Sequence, residues 1–481
     1  MPDPVNNKSQ PHQTAPEDRV PVAQKLAYGG GAFADNTMQN GINTMANPVF
    51  NMTLAVDPGM VSTALALPRL WDAIVDPFVG SASDNARTRW GRRKPFIVTG
   101  SILCGLLFAL VWMVPHGWSQ WGYFSHFLAM SLLFYTAYAV FAMAFGALGM
   151  EMSPDYHERT RVMAYKTFFG SVSGISTAWM LWLSQRPCFS DTLDGMRWVG
   201  AGIGLTIALL GILPALFIKE RAQAAVTRQK KLPLIKSLKE AVGVKPFRQL
   251  LYSVALMAVG IFMVNSLGYY INIYYVHGGD MRAASAVQGW SGSTYCLSSM
   301  AALPLITWAS TRFGKRRTLA AALCFPLAGT LLKWVCYNPA YPYLQLVPVL
   351  LMGSGMAALW TLLGSMVADV CDVDEFEHGV RREATLNAVF AWAFKFGLTL
   401  ALLLSGFAVA FSGFKAELGG GQAAEALVIM RLLYMLVPAT ALALTIFIVL
   451  RFPIDEKDAY AIRTKLEARR AQPRDLSQAT N

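Results

Sequence analysis

Apolar runs of roughly 20 residues recur along this chain, and each is long enough to cross the hydrocarbon core of a bilayer. About twelve can be counted, near 24–52, 60–84, 95–115, 121–150, 162–184, 197–218, 248–275, 284–311, 318–337, 343–369, 384–412 and 426–451. With 54% hydrophobic and 15% charged residues the chain is too apolar for an ordinary soluble protein. The expected fold is an all-α membrane protein of twelve transmembrane helices.

The charges sit between those runs. The formal net charge of +12 could suit nucleic acid, but the basic residues cluster at Arg87 to Lys94, Arg159 to Arg161, Arg312 to Arg317 and Arg381-Arg382. The alternate loops, 53–59, 116–120 and 338–342, carry almost no Lys or Arg. That alternation follows the positive-inside rule and puts both termini in the cytoplasm, with no nucleic-acid partner. The longest polar interruption, 219–247, divides the runs six and six. The expected organisation is a disordered cytoplasmic tail (1–22), a six-helix half (23–218), a cytoplasmic linker (219–247), a second six-helix half (248–452) and a cytoplasmic tail (453–481).

Other chemistries find no support. The six cysteines lack metal-ligand spacing, so neither a zinc site nor a disulfide framework is expected. No Gly-Lys-Ser/Thr phosphate loop, no HExxH and no dinucleotide fingerprint in strand–helix context is present. An ATP-driven pump and an enzyme are both disfavoured, and no cofactor is expected.

Asp72 and Asp76 carry the strongest functional signal. They lie four residues apart in an apolar run, on one face of a helix. A carboxylate at membrane depth is costly, and it is retained when it faces a cavity, a cation or a partner. The bland reading is a structural pair tied to Arg69. The chain also repeats a phrase: Arg89-Trp90-Gly91-Arg92-Arg93-Lys94 follows the second run, and Arg312-Phe313-Gly314-Lys315-Arg316-Arg317 follows the eighth. This implies two repeated six-helix units with a substrate site between them, near the midplane.

These residues, with Tyr28-Gly29-Gly30-Gly31-Ala32-Phe33, Arg69 to Pro77, Val367-Ala368-Asp369-Val370-Cys371-Asp372 and Lys395-Phe396-Gly397, give the chain a resemblance to the glycoside–pentoside–hexuronide:cation symporters, the melibiose permease-like group of the major facilitator superfamily. The resemblance runs from about 24 to 452. It implies the major facilitator fold and alternating access. It also implies a cation site at Asp72 and Asp76, with Lys395 from the other half as a coupling residue, and Arg69 is the second candidate coupling residue. Two departures favour a proton over sodium. Val75 stands where sodium-using members tend to have Asn, and Ala139 where they tend to have a hydroxyl, so neither supplies the oxygen ligands that a hard cation needs.

The resemblance also places substrate contacts. Asn36 takes the position of a sugar-binding acid, with Asp35 beside it; Ala142 and Thr167 replace an acid and an arginine, with Lys166 beside Thr167. Tyr138 and Trp360 are retained. Asn36, Asn40, Tyr138, Lys166, Trp360 and Trp392 are therefore the candidate substrate residues, and Tyr270 is a further aromatic candidate. For the aromatics, packing is the more common role; for Lys166, snorkelling to the cytoplasm competes evenly. Asp84, Arg89, Arg92, Arg93, Asp369, Asp372, Glu375 and Arg381 are candidate gating charges, although Lys and Arg there also set topology.

The expected function is cation-coupled symport of a sugar or glycoside, by a monomer in a bacterial inner membrane, with H+ favoured over Na+ as the co-transported ion. A symporter of an amphipathic lipid is one alternative, distinguished by a lateral opening and an apolar cavity floor. A non-transporting sensor on the same fold is another.

Overall fold

In a computed structural model the chain is described over residues 18–86, 88–153, 155–218, 220, 243–378, 383–454, 461–462 and 465. Among the described residues, twelve long helices carry it. The first half contains α1 (Val22–Ala46), α2 (Pro58–Asn85), α3 (Lys94–Val111), α4 (Gln120–Glu151), α5 (Tyr156–Ala178) and α6 (Thr192–Phe217). The second contains α7 (Lys245–Tyr270), α8 (Met281–Phe313), α9 (Lys315–Cys336), α10 (Leu346–His378), α11 (Glu383–Phe411) and α12 (Ala424–Leu450). A π-helical stretch, Asn47–Thr53, extends α1, and a second, Ile271–Val276, extends α7.

Local chemistry starts several helices. Asp57, Ser119, Asp155, Asp191 and Asp280 each accept from a backbone N–H of the first turn, at distances between 2.7 and 3.2 Å. The echoed phrase marks two equivalent turns. Gly91 between α2 and α3 has φ +113°, and Gly314 between α8 and α9 has φ +81°. A residue with a Cβ is strained there.

Packing repeats with an offset of six helices. In the first half α1 packs on α5 and α6, α3 on α4 and α6, and α2 on α4. In the second α7 packs on α11 and α12, α9 on α10 and α12, and α8 on α10. The halves meet where α2 packs on α11 and α5 on α8, pairs that the same offset exchanges. The expected two-half, twelve-helix architecture is what the chain adopts.

The helices differ in polarity. Among the described residues, eight are long and apolar enough to cross a membrane by themselves. The other four, α1, α2, α5 and α8, carry charges and amides along their length. Those groups need partners other than lipid. Three of the four form the contacts between halves, and α1 walls the central cavity.

The seam between the halves is tight at the end away from the N-terminal tail. Gly406 of α11 lies against Ser62 and Pro58 of α2, and Gly289 and Gly292 of α8 lie against Trp179 and Ala178. The Trp179 indole donates to Ser293 Oγ at 2.9 Å, and the Tyr270 hydroxyl donates to Asn51 Oδ1 at 2.6 Å. Tyr270 is thus a buried fastening between α7 and the end of α1, not a sugar contact.

Gly91→Ala and Gly314→Ala should each lower stability by about 1–3 kcal/mol. Gly91→Ala should cost more, because its Cβ would also stand 2.7 Å from the Glu220 carboxylate. Thermal unfolding of the detergent-purified variants checks this; equal midpoints for wild type and both variants would refute it.

Candidate functional site

Two connected lobes of about 730 and 700 Å3 open between the halves. They share Asn36, Gln39, Asn40, Asn265, Tyr269 and Trp360. The α1 wall is built from a regular stripe: Asn36, Asn40, Asn43 and Asn47 recur three or four residues apart and fall on one helix face. Asn40 Nδ2 donates to the backbone oxygen of Asn36 at 3.1 Å, which aligns the neighbouring amides. The expected substrate residues Asn36 and Asn40 are the start of this stripe. Gln39, Asn43, Thr44 and Asn47 extend it, and their spacing alone would have revealed them.

The acidic pair divides its partners. The Lys395 ammonium of α11 donates to Asp76 Oδ2 at 2.5 Å, across the seam. Asp72 instead faces Arg69, with Nη1 3.8 Å from Oδ2. Arg69 is held by the Gln39 backbone oxygen at 2.9 Å and lies 4.4 Å over the Tyr135 ring. Asp72 is buried, and its Oδ1 accepts no hydrogen bond among the described residues. A buried carboxylate oxygen without a donor is an unpaid desolvation that a cation relieves. Asp72, Asp76, Arg69 and Lys395 all line the first lobe.

The second lobe adds another opposed set. Lys166 lines it, half-buried, with Nζ 5.6 Å from the Phe145 ring centroid. Asp35 lines it too, with a carboxylate that accepts from the Tyr138 hydroxyl at 3.1 Å. Tyr138 itself lines the first lobe, so it joins the two lobes through this bond to Asp35. Over both lobes the charged lining residues are three acids (Asp35, Asp72, Asp76) and three cations (Arg69, Lys166, Lys395), formally neutral together. Trp360 lines both lobes and packs edge-on against Phe394, with ring centroids 5.1 Å apart. Trp392 does not join them. It stacks on Phe396 on the exposed side of α11 and lines neither lobe, so its expected substrate role is not supported.

Of the candidate gating charges, Arg92, Arg93 and Asp369 each have an ion pair within their own half. Arg92 and Arg93 donate to Glu151 Oε1 of α4 at 2.7 and 2.6 Å. The Glu220 carboxylate accepts the backbone N–H groups of Arg92, Arg93 and Lys94, at 2.7 to 3.0 Å, and so caps the start of α3. In the second half Lys315 bonds both oxygens of Asp369, at 2.6 and 2.7 Å. These pairs link α3 to α4 and α9 to α10, equivalent places in the repeat. Glu151 and Glu220 were not singled out by the sequence, where the basic loop dominates. Arg89 is exposed, and Asp372 and Glu375 lie at the tail-side end of α10. Arg381 and the side chain of Asp84 lie outside the described residues.

A family model described as MFS/sugar transport protein matches residues 27–456. The chain belongs to this family. It is therefore a membrane transporter and not an enzyme. Its sequence is 23% identical to an isoprimeverose transporter of Lactiplantibacillus pentosus, over 98% of this chain and 96% of that protein. It is also 23% identical to sodium-dependent lysophosphatidylcholine symporter 1 of Gallus gallus, over 93% of this chain and 89% of the relative. Among solved structures, a D-xylose-proton symporter shares the fold, with TM-score 0.62 and 15% identity, covering 91% of this chain and 98% of that one.

The Asp76–Lys395 contact should appear in a double-mutant cycle. Lys395→Met strands the Asp76 carboxylate and should destabilise more than Lys395→Met with Asp76→Asn together. A coupling of about 1–2 kcal/mol is expected, because the Lys395 side chain is 47% exposed and only part-desolvated. Additive unfolding midpoints would show that the pair contributes nothing.

Proposed function

We propose that this protein is a proton-coupled symporter that carries a sugar or glycoside by alternating access. The observation that carries the reading is the Asp76–Lys395 ion pair, which joins the halves on the wall of an amide-lined cavity. One proton, shared by Asp72 and Asp76, releases Lys395 from Asp76. The halves then close around a bound substrate without burying an uncompensated carboxylate. Substrate without the proton leaves the Asp76–Lys395 pair intact across the seam, and that state resists the rearrangement that occlusion requires.

The orientation follows from the basic loops, which put the N-terminal tail, the 219–247 segment and the C-terminal tail in the cytoplasm of a bacterial inner membrane. The glycine-lined seam is then the periplasmic gate, and the structure is inward-facing. Within-half pairing of Arg92, Arg93 and Glu151, and of Lys315 and Asp369, fits that state. A monomer suffices, since one chain encloses the whole cavity.

The substrate class is supported by the lining. Asn36, Gln39, Asn40, Asn43 and Thr44 offer donors and acceptors suited to sugar hydroxyls, and Trp360 offers a ring face. An acyl chain would leave these amides without partners, which weighs against the lipid reading that the lysophosphatidylcholine relative raises. A proton is favoured over sodium because Val75 and Ala139 supply no side-chain oxygen. The Asp72, Asp76 and Lys395 set weighs against a sensor without transport.

Weakly buffered cells that overexpress the protein provide the test. Monosaccharides, isoprimeverose, glucuronides and lysophosphatidylcholine are added one at a time, with and without sodium. External alkalinisation with one sugar, independent of sodium, is the expected result. Sodium-dependent uptake without a pH change would replace the proton by sodium, and a response to lysophosphatidylcholine alone would replace the sugar. Asp76→Asn should abolish accumulation against a gradient while leaving exchange across the membrane; full concentrative uptake by this variant would remove the coupling mechanism.

A further inference from the structure

Asp35 is a buried acid that the mechanism above does not use. It precedes the amide stripe by one residue, so it faces the α4 and α5 side of α1 and not the first lobe. It is 8% exposed, and its side-chain donors are neutral: the Tyr138 hydroxyl at 3.1 Å and the Gln39 amide. The groups that face it from the surrounding elements are Tyr28 and Gln39 of α1 itself, Cys104 of α3, Tyr138 of α4 and Lys166 of α5. From α6, Gly211 packs beside Ala34 and brings no charge.

Lys166 is the full cation in that set, and it makes no ion-pair contact with Asp35. Its ammonium lies instead over the Phe145 ring. The formal charge balance of the cavity is therefore met at long range for Asp35, whereas Asp76 meets its cation at 2.5 Å. A carboxylate buried in the bundle whose hydrogen-bond donors, Tyr138 and Gln39, are both neutral is costly when ionised, and a proton is the smallest group that removes the cost. The second lobe gives that proton a route, because Asp35 is among its lining residues.

We propose that Asp35 is a second proton-carrying carboxylate of the transport cycle, loaded from the second lobe separately from the Asp72–Asp76 site. The inference rests on the proton-coupled reading for its place in transport, but the presence of the proton can be measured without substrate. Protonation also changes what Asp35 offers the substrate region. The acid can donate a hydrogen bond where the carboxylate only accepts, beside Asn36 and Gln39. A proton on Asp35 would then alter the hydrogen-bonding set seen by a ligand without any movement of the helices.

Infrared difference spectroscopy of the full purified chain in lipid nanodiscs, between neutral and alkaline buffer, tests this. A C=O stretch of a protonated carboxylic acid, sensitive to H2O/D2O exchange, is expected in wild type. It should be lost in Asp35→Asn, shifted in Asp35→Glu, and retained in Asp72→Asn and Asp76→Asn. Should Asp35→Asn fail to fold, Asp35→Glu decides: an unshifted band overturns the proposal. A spectrum without such a band, or with bands lost in Asp72→Asn or Asp76→Asn alone, also overturns it. Failure of the proposed coupling site is visible separately, as Asp72→Asn and Asp76→Asn proteins that still accumulate substrate with protons.

Discussion

A carboxylate inside a bilayer must be compensated, and the architecture of this chain follows from that requirement. Asp72 and Asp76 cannot face lipid, so α2 must be covered. It is covered by α4 within its own half and by α11 from the other half, and α11 brings the cation Lys395. The same argument applies to α1, α5 and α8, the other helices too polar to cross alone. A bundle whose polar helices lie at its centre is held together by its outer helices and divided along its inner ones. The division is where the charged and amide side chains that line the two lobes lie.

The repeat gives the two halves equal mechanical roles. The α2–α11 and α5–α8 contacts exchange under the six-helix offset, so rocking about one pair is matched at the other. At the far end, glycines let the backbones approach closely enough to seal. At the tail end, the charge pairs found are internal to each half, α3 to α4 and α9 to α10. Such pairs keep each half rigid while the seam between them opens.

Most of the fold was legible in the sequence because its signals are long and redundant. Run length, loop charge and the repeated Arg89–Lys94 and Arg312–Arg317 phrases all point to the same two-half bundle. The two glycines of that phrase even share positive φ. The site was legible where chemistry is costly: Asp72, Asp76 and Lys395 stand out because charge at membrane depth needs a reason. It was less legible where identity is ordinary and only direction matters. Trp392 and Trp360 are both aromatics in apolar helices, and their helix rotation, invisible in composition, sends one outward and one to the cavity. Asp35 was overlooked for Asn36 because one residue turns a side chain by about 100° around a helix, from one wall to the next. Glu151 and Glu220 are single acids far from the basic loop in sequence, and only the packing of α4 and α6 against α3 brings them to it.

The separation of Asp76 from Asp72 bears on how coupling works. Were Lys395 shared equally by both acids, adding a proton would only weaken one interaction. Here Lys395 contacts Asp76 while Asp72 keeps a loose contact with Arg69 and an oxygen without a donor. A proton on Asp76 removes the charge that Lys395 contacts across the seam; a proton on Asp72 leaves that contact in place and removes only a longer-range attraction. The two microstates of one bound proton thus act on the seam to different extents. Arg69 links the two features: it bonds the Gln39 backbone oxygen of the amide-bearing helix at 2.9 Å and lies 3.8 Å from Asp72. On the proposed reading, a ligand on the amide stripe would act on the acidic pair through this one side chain, and coupling would need no long-range signal.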